Sequence, residues 1–220
     1  NLPNWAFVDW SMGFMRGMSP VGSDGGSAVL DLHLLLTYQL AAEMEETLGM
    51  GDYVRLYRSR AEQLSETIRS RYWDDAGGRV ADTVDKNVYS QHANALAILT
   101  GLVQGEEARR VALMIQDDAS LTQATLYFKY YTHEAMVRAG LGDAYLSWLD
   151  VWRHNLELGM TTWGETSMVE NTRSDCHAWG ASPNIEFFRT ILGIDSAAPG
   201  FRQVVIRPFL GGIREIGGTI

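Results

Sequence analysis

Hydrophobic positions come along this chain in two alternating textures. Residues 27–48, "SAVLDLHLLLTYQLAAEMEETL", place Leu30, Leu34, Ala41, Met44 and Leu48 at helical spacing. Leu32, Leu35, Leu36 and Leu40 fill the remaining faces. A helix that is apolar all round is expected to be buried on all sides. The next segment, capped by Asp52 and running to about Trp73, has one stripe: Tyr57, Ala61, Leu64, Ile68 and Tyr72. Arg55, Arg58, Arg60, Glu62 and Arg69 lie mostly away from it. That pattern predicts an amphipathic outer helix.

The two textures recur further along. Residues 89–103 are mostly apolar, 106–117 mixed, 124–140 rich in aromatics, and 142–159 amphipathic with Tyr145, Trp148, Leu149 and Trp152 on one side. Gly101, Gly140 and Gly159 stand where helix stops are expected. Residues 74–88 break the helical period at Asp74-Asp75-Ala76-Gly77-Gly78, which predicts a turn, with a short hairpin or loop around it. A last helix is expected over 182–193. Beyond Pro199-Gly200, "FRQVVIRPF" alternates and is β-branched, then Gly211-Gly212 turns into "IREIGGTI". This reads as a strand, a turn and a second strand. The expected fold is therefore mainly α: a partial (α/α)6 toroid or barrel of alternating inner and outer helices. About seven helices are expected, where a closed barrel needs about twelve. Residues 1–195 would be barrel and 196–220 the start of a truncated C-terminal β-sandwich.

Composition changes this picture little. The chain has 220 residues, long enough for one sizeable core. Its net charge of −9 disfavours nucleic acid or an anionic membrane as partner, since both are met by Lys/Arg patches. One cysteine, Cys176, excludes an internal disulfide framework and a thiolate metal cluster. No stretch approaches the ~18 apolar residues of a membrane span. The chain opens on "NLPNWAFVDW" without Met and stops on "GGIREIGGTI"; both ends read as cut, so a missing leader carries no weight.

The densest chemistry lies in "TTWGETSMVENTRSDCHAWGASPNIEFF", residues 161–188. It gathers Glu165, Glu170, Asp175, Glu186, His177, Trp163 and Trp179 with little helical or strand period. Glycoside hydrolysis uses two carboxyl groups on either side of the scissile bond, each free to come from its own loop. Glu165 follows a helix stop at Gly159, which would set it at the lip of the barrel; a solvated loop acid is the competing reading. His177 reads as a hydrogen-bonding residue among acids. Asp175 and His177, two apart, suit no zinc spacing. Cys176 beside His177, or Ser174 with Asp175 and His177, makes a poor nucleophilic set, because such partners come from distant segments. Near the N-terminus, Asp9-Trp10 pairs an acid with an indole ahead of Gly13, fit either to hold a sugar or to cap and pack.

Taken together, "GMTTWGE" (159–165), "SDCHAWG" (174–180), "ILGI" (191–194) and "PGFRQVVIRP" (199–208), preceded by Asp9-Trp10, resemble the catalytic module of the α-L-rhamnosidases, glycoside hydrolase family 78. The resemblance implies an inverting hydrolase that releases terminal α-L-rhamnose from glycans or glycosides. Glu165 matches the general base and His177 a sugar-contacting histidine; Asp9, Trp10, Trp163 and Trp179 are candidate substrate-binding residues. It implies no cofactor and no metal. The partner is a rhamnose-containing oligosaccharide or glycoside, a homo-oligomer is compatible, and a periplasmic or secreted location is expected for the parent protein. Gly164 and Cys176 depart from the family, which often has tryptophan before the base and asparagine before the histidine. The family's general acid lies upstream of the "VDW" segment, outside this chain, so the fragment itself is expected to be inactive or nearly so. The alternatives are another toroidal carbohydrate enzyme, glucoamylase-like or an unsaturated-uronide hydrolase, or a non-catalytic carbohydrate-binding or scaffold domain. The hydrolase reading expects Glu165 to project into a concave pocket rimmed by indoles and an imidazole; a carboxylate buried in an ion pair, or pointing outward from a flat surface, would overturn it and leave a helical shell of undetermined purpose.

Overall fold

A computed structural model describes residues 6–167 and 173–219, and divides the chain after Ala124 into two compact units. Helices dominate both; the strands named among the described residues form two antiparallel pairs. No helix among the described residues is long and apolar enough to cross a membrane.

The first unit is built from helical hairpins. α1 (Ala28–Thr47) packs along α2 (Gly51–Tyr72), and α3 (Gln91–Leu99) packs against α1 and α4 (Gly105–Asp117). The expected burial of α1 on every side is corrected. Ala28, Val29, Leu32, Leu35 and Ala42 are buried, but Leu40, Met44 and Leu48, at i, i+4 and i+8, are 55%, 57% and 64% exposed. Within this unit one stripe of α1 finds neighbours and the stripe opposite does not. α2 buries Ala61, Ile68 and Tyr72 as its periodicity predicts. Asp52, expected as its cap, instead lies in the first helical turn, where it pairs with Arg55.

The break at 74–88 is a minimal hairpin, β1 (Trp73–Asp74) against β2 (Arg79–Val80). Less expected is the opening of α3. Ser90, Gln91, His92 and Asn94 are all buried, and each finds a partner. Ser90 Oγ accepts from the Ala93 amide (3.2 Å), capping the helix, and donates to Asp82 Oδ1 (2.6 Å). Gln91 ties the Ile115 carbonyl to the Ala124 amide (2.8 Å each). Asn94 bonds both the amide and the carbonyl of Val80 (2.9 and 3.0 Å). These bonds clamp the hairpin, α3 and α4 together from inside, since buried polar groups are costly unless paired.

In the second unit the aromatic run at 124–140 is helical over a shorter span than expected: α5 (Lys129–Met136) continues as a wider turn to Leu141. Gly140, at φ 84°, reverses the chain there. A 3-10 stretch (142–148) leads to α6 (Asp150–Glu157). The core joins Leu126, Tyr145, Leu149, Trp152 and Ile191. His133 is caged by Tyr145, Trp148 and Trp152, and burial pushes its pKa down to about 3, so it is neutral. The last helix is a short α7 (Pro183–Glu186) that widens over Phe187–Ile191.

The C-terminal strand pairing also differs from expectation. β4 (Val204–Ile206) pairs backward with β3 (Ile194–Ser196), in the register Ile194 to Ile206, rather than forward with 213–219. Pro199-Gly200 turns the chain between the two strands, with Gly200 at φ 68°. Gly193 (φ 67°) receives the Arg207 amide on its carbonyl at 2.8 Å; a Cβ there would stand 2.0 Å from the Arg207 carbonyl carbon. A groove of about 630 Å³ lies beside this hairpin, lined by Ile185, Phe188, Ile194, Phe201 and Val204 among others.

Asp82 gives the fold a pH dependence. Burial raises its pKa to about 7, against the bond from Ser90, and Asp82 Oδ2 has no partner among the described residues. The folded chain therefore keeps a proton that the unfolded chain gives up near pH 4. Stability from this group is full below about pH 4 and is lost as pH rises through about 7, by a few kcal/mol. Asp82→Asn should flatten the dependence of urea-unfolding stability on pH between 5 and 8. An unchanged slope in the variant would show that another group sets it.

Candidate functional site

α6 stops at Gly159, whose φ of 77° turns the chain out of the helix, and the Met160 amide closes back on the Asn155 carbonyl (3.0 Å). The loop that follows, residues 161–167, has no regular structure of its own. It borrows order from a second strap, residues 173–181, which is irregular up to a 3-10 turn at Ala178–Ala181. The Thr162 hydroxyl donates to the Asp175 carbonyl. The His177 amide donates to the Trp163 carbonyl (2.8 Å), and the Glu165 amide to the Ser174 carbonyl (2.9 Å). Trp179 Nε1 donates to the Glu165 carbonyl (2.8 Å). Four bonds thus clasp two loops about one glutamate, whose main-chain N–H and C=O are both held.

The clasp is anchored on the second unit's core. Trp152 of α6 donates its indole N–H to the Gly180 carbonyl (2.6 Å). Gly180 packs so closely on the other loop that a Cβ would meet Trp163 Cβ at 2.7 Å. Ser167 Oγ accepts from the Leu126 amide (3.1 Å), fixing the loop to the turn before α5. From that turn Tyr127 sets its ring 5.0 Å from Trp179, and the His177 ring lies 4.5 Å from the indole on the same strap.

The Glu165 side chain is only 3% exposed. Arg173 caps it with a two-nitrogen fork: Nη2 to Oε1 at 2.5 Å and Nε to Oε2 at 3.2 Å. Donating to the Glu165 carboxylate raises the guanidinium pKa further above its usual value. The expected open carboxylate is therefore corrected. The loop path brings a cation eight residues downstream over the acid, and burial requires such a partner.

Of the other candidates, the structure gathers Trp163, His177 and Trp179 around Glu165. Trp163 is half-buried and packs on the core cluster, so its ring is a wall of the unit rather than an open platform. His177 is half-buried; its Nδ1 is shielded and has no hydrogen-bond partner among the described residues. Asp175 and Cys176 are exposed. Glu170 lies outside the described residues. Glu186 is buried apart from this set, held by Arg189 and by Thr190 Oγ1 (2.6 Å).

Asp9 and Trp10 belong to the other unit. Asp9 is fully buried and accepts from His92 Nε2 (2.8 Å), so as a hydroxyl-binding acid open to solvent it is corrected: it partners a core histidine. Burial pushes the His92 pKa down, while Asp9 opposes that shift. Trp10 is half-buried, tilted against Phe7 at 5.1 Å. Residues missed in the sequence are Arg173 and Tyr127. A charge of opposite sign within the motif pointed to the first; nothing in the spacing pointed to the second.

Known proteins share this arrangement of elements. The family described as the bacterial alpha-L-rhamnosidase 6 hairpin glycosidase domain matches residues 1–191. The solved rhamnosidase of family GH78 from Bacillus sp. GL1 superposes with a TM-score of 0.82 at 25% identity, covering 94% of this chain and 23% of that one. A rhamnosidase from Klebsiella oxytoca with rhamnose bound (TM-score 0.70, 18% identity) covers 83% of this chain and 36% of its own. An α-L-rhamnosidase from Aspergillus terreus (0.69, 19%) covers 91% and 25%. The last two matches speak to fold alone, and the chain spans well under half the length of each relative. No curated protein matches it. The helical hairpins of the first unit and the family match over most of the length lead to one statement: the chain belongs to the bacterial α-L-rhamnosidase six-hairpin glycosidase domains.

Proposed function

We propose that the enzyme carrying this chain is an inverting glycosidase that releases terminal α-L-rhamnose, with Glu165 as general base. The observation that carries this reading is the clasp itself. A glutamate is fixed through both main-chain groups at the end of α6, beside His177, Trp179 and Tyr127, in a chain of the rhamnosidase family. Rhamnose bound in the Klebsiella oxytoca relative supports that sugar as the ligand class.

In this mechanism Glu165 takes a proton from the water that attacks the anomeric carbon, while a second carboxylic acid protonates the departing oxygen. The transition state is oxocarbenium-like and the configuration inverts. We assign His177, whose Nδ1 has no hydrogen-bond partner among the described residues, to a ring hydroxyl, and the Trp179–Tyr127 pair to the apolar face of the sugar. Each Glu165 oxygen carries a further lone pair beside the one that Arg173 engages, and in this mechanism such a lone pair takes the proton from water. The sealed pair is the outcome that the sequence reading set against a hydrolase, and it favours the rival reading, a non-catalytic domain whose acids serve structure; membership of a glycosidase family is what supports the hydrolase reading beside it.

The acid is assigned to a part of the enzyme outside this chain. Residues 192–219 lie beyond the family match, and we assign the β3–β4 hairpin, with Phe201 and Ile206 exposed, to the opening of a C-terminal β-module. In the enzyme carrying this chain, Glu165→Gln should lower kcat about 10²–10⁴-fold with KM within a few-fold. Near-native turnover would exclude Glu165 as base and leave the structural reading. The isolated 220-residue chain should turn over an aryl α-L-rhamnoside no faster than buffer; robust release would place the acid within it.

A further inference from the structure

A carboxylate shut away from water stays ionised only where fixed donors replace the water it has lost. For Glu165 both oxygens are met by one guanidinium, which fits the carboxylate as a planar fork. The two ends of the pair are placed very differently: the glutamate side chain is 3% exposed, the arginine 77%. The charge that neutralises the buried acid thus stands on the solvent side of the loop pair.

Within the same unit the Glu186–Arg189 pair shows the contrasting design. Arg189 is 24% exposed and meets Glu134 (3.4 Å) and Tyr130 (3.4 Å) as well as Glu186, which also accepts from Thr190. An arginine shared among three partners at the edge of the core suits a structural brace. Arg173 caps an acid from outside.

We propose that Arg173 is the positioning residue of the candidate base: its two-nitrogen fork holds Glu165 ionised and oriented for the attacking water. This rests on the reading of Glu165 as base. Among the described residues, His177 on the strap and Tyr127 on the turn stand beside Trp179, and Asp175 and Cys176 lie exposed on the strap. Lysine at position 173 would keep the charge and lose the fork. Glutamine would lose the charge.

The test is to follow the Glu165 side-chain carboxyl by ¹³C NMR through a pH titration of the 220-residue chain, assigned by loss of the signal in Glu165→Gln. The native chain, Arg173→Lys and Arg173→Gln are compared. The midpoint should be lowest in the native chain, higher in Arg173→Lys, and higher by at least about one pH unit in Arg173→Gln, the size expected on losing a close opposite charge. Midpoints that coincide in all three would overturn the proposal, and Arg173→Lys supplies the comparison if the glutamine variant unfolds. In the whole enzyme, the acid limb of kcat/KM should move upward in Arg173→Gln in step with the NMR midpoint. A uniform loss at every pH would overturn the proposal in favour of a purely structural role. If the midpoints shift but Glu165→Gln keeps turnover, it is the base assignment that fails.

Discussion

A carboxylate taken out of water needs a counter-group, and much of this chain is arranged around meeting that need. Each buried acid meets it differently. Asp9 accepts from His92, whose ring is itself shut in. Asp82 takes a hydroxyl from Ser90 and, with no cation among its described partners, retains its proton to about pH 7. Glu186 is braced by Arg189 and Thr190. Glu165 is met by an arginine that is itself largely exposed. The first three solutions fix the fold. In the fourth the partner stands on the solvent side, which sets Glu165 apart from the structural acids around it.

Position follows from helix ends. α6 brings the chain to Gly159, where a left-handed turn releases it into a loop too irregular to order itself. Order comes from the strap at 173–181, and the strap is held in turn by Trp152 from α6. The indole that packs the core also anchors the loop pair, and Gly180 permits the close approach that a side chain would block. The cost of exposing a long irregular segment is thereby offset by main-chain bonds between its two halves.

Much of the architecture was legible in the sequence because helical period survives wherever one face is buried. α1, α2 and α4 lie close to where their spacing puts them. The failures have physical causes. The breadth of apolar surface on α1 suggested burial all round, yet Leu40, Met44 and Leu48 face outward: composition tells how much surface a helix can bury, not how much it meets. The start of α3 looked apolar, while its working residues are Ser90, Gln91, His92 and Asn94, whose partners lie up to 83 residues away along the chain. β4 pairs with β3 because the turn at Pro199-Gly200 precedes it, a choice alternation alone cannot make. Glu165, His177 and Trp179 were found through motif resemblance. Arg173 was not, since an ion partner depends on the path of two loops that carry no period.

The central claim is that water, deprotonated at Glu165, attacks the anomeric carbon and displaces the aglycone in a single step. It is tested most directly by the anomer first formed when the enzyme carrying this chain cleaves an aryl α-L-rhamnoside, read by ¹H NMR before mutarotation. The account predicts that β-L-rhamnose appears first and the α form grows in only as the anomers equilibrate. α-L-Rhamnose as the initial product would mean a covalent, double-displacement route, and would contradict it.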